Sequence, residues 1–345
     1  SDDNLKGKVV LKGGTAINLT VFDMPRLSVD IDLDYCCNSD KDTMMADRTV
    51  IGQEILGHMQ SNGYTLHPSS KNTHALDSWV FSYLNAGGNK DNIKIEINYM
   101  MRTHILEPRT RKTSIPFIDE VDVYALSPLE LFGSKIKALI ERAAPSDMYD
   151  VNRMIRENIF KDDQVDMLRK IVVFYLAVGG KNKPIKEYSF ERIQNIRFPQ
   201  IRSALIPVLK KTEKFDFEEA KANVISFLSK LLILGNAEGN FIDSFNQGEY
   251  KPELLFEDGE VIERIKKYYI NAVESREKDL SKLTALEQPE VTPVPVLEGL
   301  TSLTEEELAP YCKKMGLAMN ADDLREVVNY FKSEGRDPFE TELRI

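Results

Sequence analysis

"RLSVDIDLDY", residues 26–35, sets apolar Val29, Ile31, Leu33 and Tyr35 in strict alternation with Asp30, Asp32 and Asp34. A strand turns successive side chains to opposite faces, so the stretch predicts a β-strand with one apolar face and one face of three carboxylates. Like charges on neighbouring same-face positions repel, so the chain either leaves them in water or gives them a cation.

The flanking segments bear on that choice. Upstream, "LKGGTAI" (residues 11–17) places two glycines between a predicted strand, "VVLK" (9–12), and a short predicted helix. A backbone without Cβ can approach a ligand closely, and the first amides of a helix point outward, so this turn can grip phosphate oxygens. Downstream, "IKIEINY" (93–99) puts Lys94, Glu96 and Asn98 on one face and Ile93, Ile95, Ile97 and Tyr99 on the other. If that strand lies near the Asp strand, Glu96 joins Asp30 and Asp32 in a triad able to hold one or two Mg²⁺ ions, which favour carboxylates together with substrate phosphates. Asp34 extends the pair by one step and is peripheral.

The expected fold class is α+β: a small mixed β-sheet with helices, followed by an α-helical domain and a short helical appendix. A helix is predicted around residues 42–62. Strands over 79–85 and 93–99 flank "AGGNKDN", a hairpin turn. After about residue 125 the pattern turns helical, beginning at "SPLE" (127–130), a capping-box arrangement with Pro at the first helical position. Further helices are expected at about 147–158, 162–178, 217–234 and 258–282. The domain reading is 1–125 core, 126–286 helical domain, 287–296 Pro-rich linker and 297–345 acidic appendix. The early strand at 9–12, with little before it to cover a sheet, suggests a truncated N-terminus.

The chain has 345 residues and a formal charge of −10. From residue 287 onward there are 13 acidic and 6 basic side chains, leaving 42 and 39 before it, so the body is nearly neutral. Basic residues cluster there at Arg102, Arg109, Arg111 and Lys112, at Lys181, Lys183, Lys186, Arg192 and Arg197, and at Arg202, Lys210, Lys211 and Lys214. These are solvated faces or a phosphate-tracking surface. Three cysteines and four histidines form no disulfide framework and no zinc spacing. No apolar run approaches a membrane span and residues 1–20 lack a signal-peptide layout, so a cytoplasmic location without membrane contact is expected.

The order GG, Asp-x-Asp, then a later strand with an isolated Glu resembles the nucleotidyltransferase superfamily. More narrowly, "LKGGTAINL", "RLSVDIDL", "IKIEI", "KIKAL" followed by Arg, and "DMYDV" resemble the AbiEii/AbiGii-type nucleotidyltransferase toxins, over about residues 8–285. The resemblance implies an NTP- and Mg²⁺-dependent enzyme whose acceptor is RNA, such as the tRNA 3′ end, restrained by an antitoxin from a neighbouring gene. It also implies residue roles: Lys12, Gly13, Gly14 and Thr15 as the phosphate turn, Asp30, Asp32 and Glu96 as metal ligands, and Lys135 on the triphosphate. Periodicity does not choose between Lys135 and Lys137; the resemblance favours Lys135. Asp150, with Asp147, would face the cleft as a base or as an organiser of that lysine. Ser146 stands where the family commonly has Arg, a role open to Arg142 or Arg153. An antibiotic nucleotidyltransferase, a phosphotransferase toxin and a non-catalytic nucleotide-binding module are the competing readings. The stretch after about residue 297 resembles the linker region of formylglycinamidine ribonucleotide synthetase and carries no recognisable chemistry.

Overall fold

The structure, a computed structural model, describes residues 5–100, 102–113, 120–179, 183–266, 296–315, 319–338 and 342. The chain divides into two compact units, Ser1–Lys278 and Asp279–Ile345.

The first unit is α+β. Its sheet contains β1 (Val9–Lys12), β2 (Asp30–Tyr35), β3 (Thr65–Leu66), β4 (Lys71–Asn72), β5 (Leu76–Leu84), β6 (Lys90–Asn98), β7 (Arg109–Lys112) and β8 (Asp122–Ala125). The strand order is β3-β5-β6-β2-β1-β8-β7, with β4 beside β5. The alternating strand β2 sits at the centre, antiparallel to β1 and parallel to β6. The hairpin joining β5 and β6 turns at residues 85–89: the Asn85 side chain accepts from the amides of Gly87 and Asn89, and Gly88 takes φ +77°. Both strands begin three residues earlier than the apolar pattern indicates, because backbone pairing carries the ladder to Leu76↔Asn98 and Leu84↔Lys90.

Helix α2 (Lys41–Ser61), capped by the Asp40 side chain, packs on one side of the sheet. Its Met44, Ile51, Ile55 and Met59 form a core with Tyr35, Trp79, Phe81, Ile95, Ile97 and Tyr99. A second, larger core joins strand residues such as Val10 and Leu11 to α1 (Gly13–Thr20), α3 (Pro128–Arg142), α4 (Pro145–Arg156), α5 (Asp162–Val178), the short α6 (Glu191–Gln194) and α7 (Phe198–Ala204), α8 (Phe217–Leu231) and α9 (Asn236–Asn246). The sheet and the helices after residue 125 thus share one apolar interior.

Helix α3 begins as the sequence indicates, with Ser127 accepting from the Glu130 amide at 3.2 Å. The capping box is only half made. The fully buried Glu130 carboxylate turns away to accept from the amides of Ile105 and Leu106, both at 2.9 Å, and from the Tyr175 hydroxyl. Burial pushes its pKa up, but these donors and His104 outweigh that and hold it below the usual range.

Gly133 lets α3 lie close to α5, since a Cβ there would overlap Ile171 Cγ2. Gly133→Ala is expected to destabilise the protein by about 1–3 kcal/mol through overpacking, more than offsetting the roughly 1 kcal/mol of helix propensity gained. Urea unfolding should show a lower midpoint at unchanged slope.

The second unit packs a 3₁₀ turn (Leu300–Ser302) and two helices (Glu305–Met315 and Ala321–Glu334) around Leu300, Leu308, Cys312, Leu324 and Val328. The expected linker, apart from Val296, and the expected helix beyond residue 266 lie outside the described residues. Among the described residues no helix is long and apolar enough to cross a membrane.

Candidate active site

β1 runs into α1 without a loop: Lys12 is both the last strand residue and the N-cap. Gly13 has φ +71°, and a Cβ there would overlap the Asp32 carboxylate; a Cβ on Gly14 would crowd the Arg26 and Ser28 side chains at 2.8 and 2.9 Å. The two glycines therefore make room for the protein's own side chains Asp32, Arg26 and Ser28 at the helix start. Thr15, expected to contact phosphate, donates its hydroxyl to the Asp30 carbonyl and ties α1 to β2. Lys12 is 2.5 Å from Asp34, which is buried and stays outside the cleft that Asp30 and Asp32 line. Gly13→Ala would force a left-handed backbone on an L side chain, costing about 1–2 kcal/mol, and would displace Asp32. The variant is expected to fold with a thermal midpoint lower by several degrees, as read by a thermal unfolding scan.

The sheet register assembles the carboxylates. Asp32 lies opposite Lys12 on β1 and Glu96 on β6, and Asp30 lies opposite Lys94. Neighbouring strands are about 4.8 Å apart, so Glu96 joins the Asp strand as expected. Ser78 on β5 donates to Glu96 Oε1 at 2.8 Å. The Lys94 ammonium bridges Asp30 Oδ2 at 3.1 Å and Glu96 Oε2 at 3.2 Å. Burial holds the Asp32 carboxyl above its usual range, with Asp30 and Glu96 adding to the shift and Lys12 opposing it. Among the described residues no three acidic, His or Cys side chains converge on one point as they stand. The donor set is nonetheless right for a hard cation: three carboxylates with no soft ligand among them.

The facing wall is cationic. Arg26 grips Asp150 with two bonds, at 2.7 and 2.6 Å. Lys135 on α3 lies 3.0 Å from Asp147 and 3.3 Å from Asp150, and Arg142 donates to both Asp147 oxygens at 2.7 and 3.0 Å. Both aspartates are fully buried. Burial pushes Asp147 up, but Lys135 and Arg142 outweigh it and hold it below the usual carboxylate range; burial pushes Lys135 down, but Asp150 and Asp147 hold it above the usual lysine range. Three cations against two anions leave this wall one positive charge in excess. With both Asp150 oxygens held by Arg26, its geometry suits an organiser of Lys135 and not a base.

The strip and the wall enclose a cleft of about 360 Å³, lined by Gly14, Arg26, Asp30, Asp32, Lys94, Glu96, Lys135, Arg142, Ser146 and Asp147 among others. Arg142 supplies a guanidinium beside Ser146, whereas Arg153 is bonded to Glu213 and Glu157. Lys137 is bonded to the Gly179 carbonyl and to Glu141, so Lys135 is the cleft lysine. Sequence reasoning missed Arg26, Ser28 and Ser78. Arg26 stands in the decisive stretch itself, but its partner is 124 residues away, beyond any local pattern. A strip of carboxylates facing excess positive charge across one cleft suits a metal-bound polyphosphate.

A family model described as nucleotidyl transferase AbiEii toxin, type IV TA system, matches residues 1–230, which include every residue of the cleft. Among solved structures the chain is similar to MenT4, a nucleotidyltransferase toxin from Mycobacterium tuberculosis H37Rv, with 15% identity and a TM-score of 0.51, covering 78% of this chain and 84% of that one. At that identity the likeness concerns the fold. No curated protein matches the chain.

Proposed function

The chain belongs to the AbiEii nucleotidyltransferase toxin family of type IV toxin–antitoxin systems, and from that premise we propose that it transfers a nucleotide from an NTP to a hydroxyl of RNA, the tRNA 3′ end in particular. Membership implies an antitoxin partner and a nucleotide substrate. The observation that carries the reading is the carboxylate strip Asp30, Asp32 and Glu96 facing Lys135 and Arg142 across the cleft.

Asp30, Asp32 and Glu96 would hold Mg²⁺, which when bound supplies Lewis-acid activation and neutralises phosphate charge. Lys135, fixed by two buried aspartates, presents a point charge to the triphosphate, and Arg142 a planar fork. The acceptor hydroxyl gives up its proton to solvent as its oxygen bonds to the α-phosphorus, and the bond to pyrophosphate breaks in line. Positioning and charge neutralisation supply most of the rate enhancement, so few residues suffice.

The lip of the cleft supports an RNA acceptor. Ala204 and Val208 line the cleft, and their segment is tied to residues 25–27 through Leu27 N to Val208 O at 2.7 Å and Lys210 N to Pro25 O at 3.1 Å. Around it, Arg197, Arg202, Lys211 and Lys214 are exposed and make no ion pair among the described residues. Other members of the basic clusters are committed internally: Arg102 is buried against the Ser39 carbonyl, Lys186 pairs with Asp243, and Arg192 bonds the Glu141 carbonyl. Cations left unpaired beside a phosphate-handling cleft suit a polyanionic acceptor better than a cationic antibiotic.

The test is incubation with Mg²⁺, each labelled NTP in turn and total tRNA, read on a gel and by product mass. Label entering RNA with a nucleotide mass increment supports the reading; a phosphate increment indicates phosphoryl transfer, and label entering no RNA removes the RNA acceptor. Arg202→Glu with Lys211→Glu is expected to cut RNA labelling by about tenfold at moderate salt, with thermal stability unchanged.

A further inference from the structure

We propose that Lys94 is a built-in counter-cation for the carboxylate strip, holding the metal position until nucleotide arrives and thereby coupling metal binding to nucleotide binding. The inference rests on the metal-dependent reading above and adds a role for a residue that reading does not use.

Lys94 lies on β6 directly opposite Asp30 and shares its face with Glu96. Its ammonium is 3.1 Å from Asp30 and 3.2 Å from Glu96, so one cation spans two carboxylates on neighbouring strands. Among the described residues it is the sole cation within ion-pair distance of either; Lys12 is committed to Asp34. A compact ammonium with three donors, placed between hard oxygens of two strands, neutralises two of the three carboxylates that would hold a divalent ion. This also explains why the three carboxylates do not converge as they stand: Asp30 and Glu96 are drawn onto Lys94.

Coulomb repulsion then governs the order of events. With Lys94 in place, an incoming divalent cation meets a positive charge a few ångströms away, so metal alone binds weakly. Lys94 can leave only if its charge finds another anion. Its flexible stem is one-third exposed and lines the same cleft that Lys135 and Arg142 present to phosphates, so a triphosphate there offers that anion. Lys94 exchanges carboxylates for phosphate as the carboxylates exchange Lys94 for metal, and each ligand favours the other by the same factor.

The experiment measures Mn²⁺ affinity by electron paramagnetic resonance, with and without a non-hydrolysable NTP analogue, in the full chain and in Lys94→Met and Lys94→Arg. Thermal unfolding serves as the control for folding. Lys94→Met is expected to bind Mn²⁺ alone about tenfold more tightly than the parent and to gain less affinity from the analogue. Lys94→Arg, which keeps the charge, should retain the weak affinity. A Met variant whose affinity is unchanged or lower, or whose gain from the analogue equals the parent's, overturns the role of Lys94 alone. If neither protein binds Mn²⁺, and Asp32→Asn changes nothing, the metal site itself is absent and both readings fall.

Discussion

Asp32→Asn is expected to leave the protein folded, to raise its thermal midpoint in metal-free buffer, and to lower nucleotidyl transfer by at least about 10³-fold, on the scale of losing a central electrostatic stabiliser. The two effects have opposite signs for one reason. Asp32 is held above its usual range by burial and by the like charges of Asp30 and Glu96. A carboxyl whose folded pKa is raised is, when ionised, a net strain on the native state, and that strain grows as pH rises above its unfolded value. At neutral pH an uncharged amide of the same shape relieves it. The same amide is a poor ligand for a hard divalent ion, so the variant gives up the charge that the reaction needs.

Mg²⁺ with an NTP analogue should therefore stabilise the parent against heat and not the variant, since a ligand stabilises only the state that binds it. A variant that keeps transfer within tenfold of the parent would remove Asp32 from the metal set. The raised pKa also fixes a pH dependence. Metal binding by the parent should weaken on acidification at a higher pH than an ordinary aspartate would give, and the Asn variant should lose that dependence.

The second large effect concerns stability. Asp150→Ala is expected to destabilise the fold by about 3–5 kcal/mol, the range for removing one partner of a buried ion pair. It would leave the buried Arg26 without its two-bonded carboxylate and the buried Lys135 with Asp147 alone, turning three cations and two anions into three and one. Against a typical total of 5–15 kcal/mol, a loss of that size is visible as a large drop in the urea midpoint.

Lys135→Met should behave in the opposite way. It leaves Asp150 with Arg26 and Asp147 with Arg142, so the cluster becomes neutral and the fold loses little. Transfer should still fall by about 10²-fold or more through loss of the phosphate contact proposed for Lys135. If both variants unfold equally easily, the charge accounting is wrong. Asp147 is held low and Lys135 high, so the carboxylate's contribution is lost only as pH falls through its depressed value, and the lysine's only as pH rises through its raised one. Between about pH 4 and 10.5 this pair does not titrate.

What the sequence determined by itself was local. The period of two over residues 26–35 and 93–99 decided which side chains share a face, the paired glycines marked a tight strand-to-helix turn, and Ser127 marked a helix start, because each follows from backbone geometry over a few residues. The identity of the cleft lysine did not follow, since Lys135 and Lys137 fit the same helix; burial against Asp147 and Asp150 chose Lys135. Nor did the commitment of Thr15 to the Asp30 carbonyl, the turning of Glu130 from its cap to the amides of Ile105 and Leu106, or the spanning of Asp30 and Glu96 by Lys94. The register that sets Glu96 opposite Asp32, and the pairing of Arg26 with Asp150 across 124 residues, belong to the tertiary structure. A charge takes a distant partner when burial removes its water and the assembled fold supplies the one group that can replace it, and no spacing along the chain encodes which group that will be.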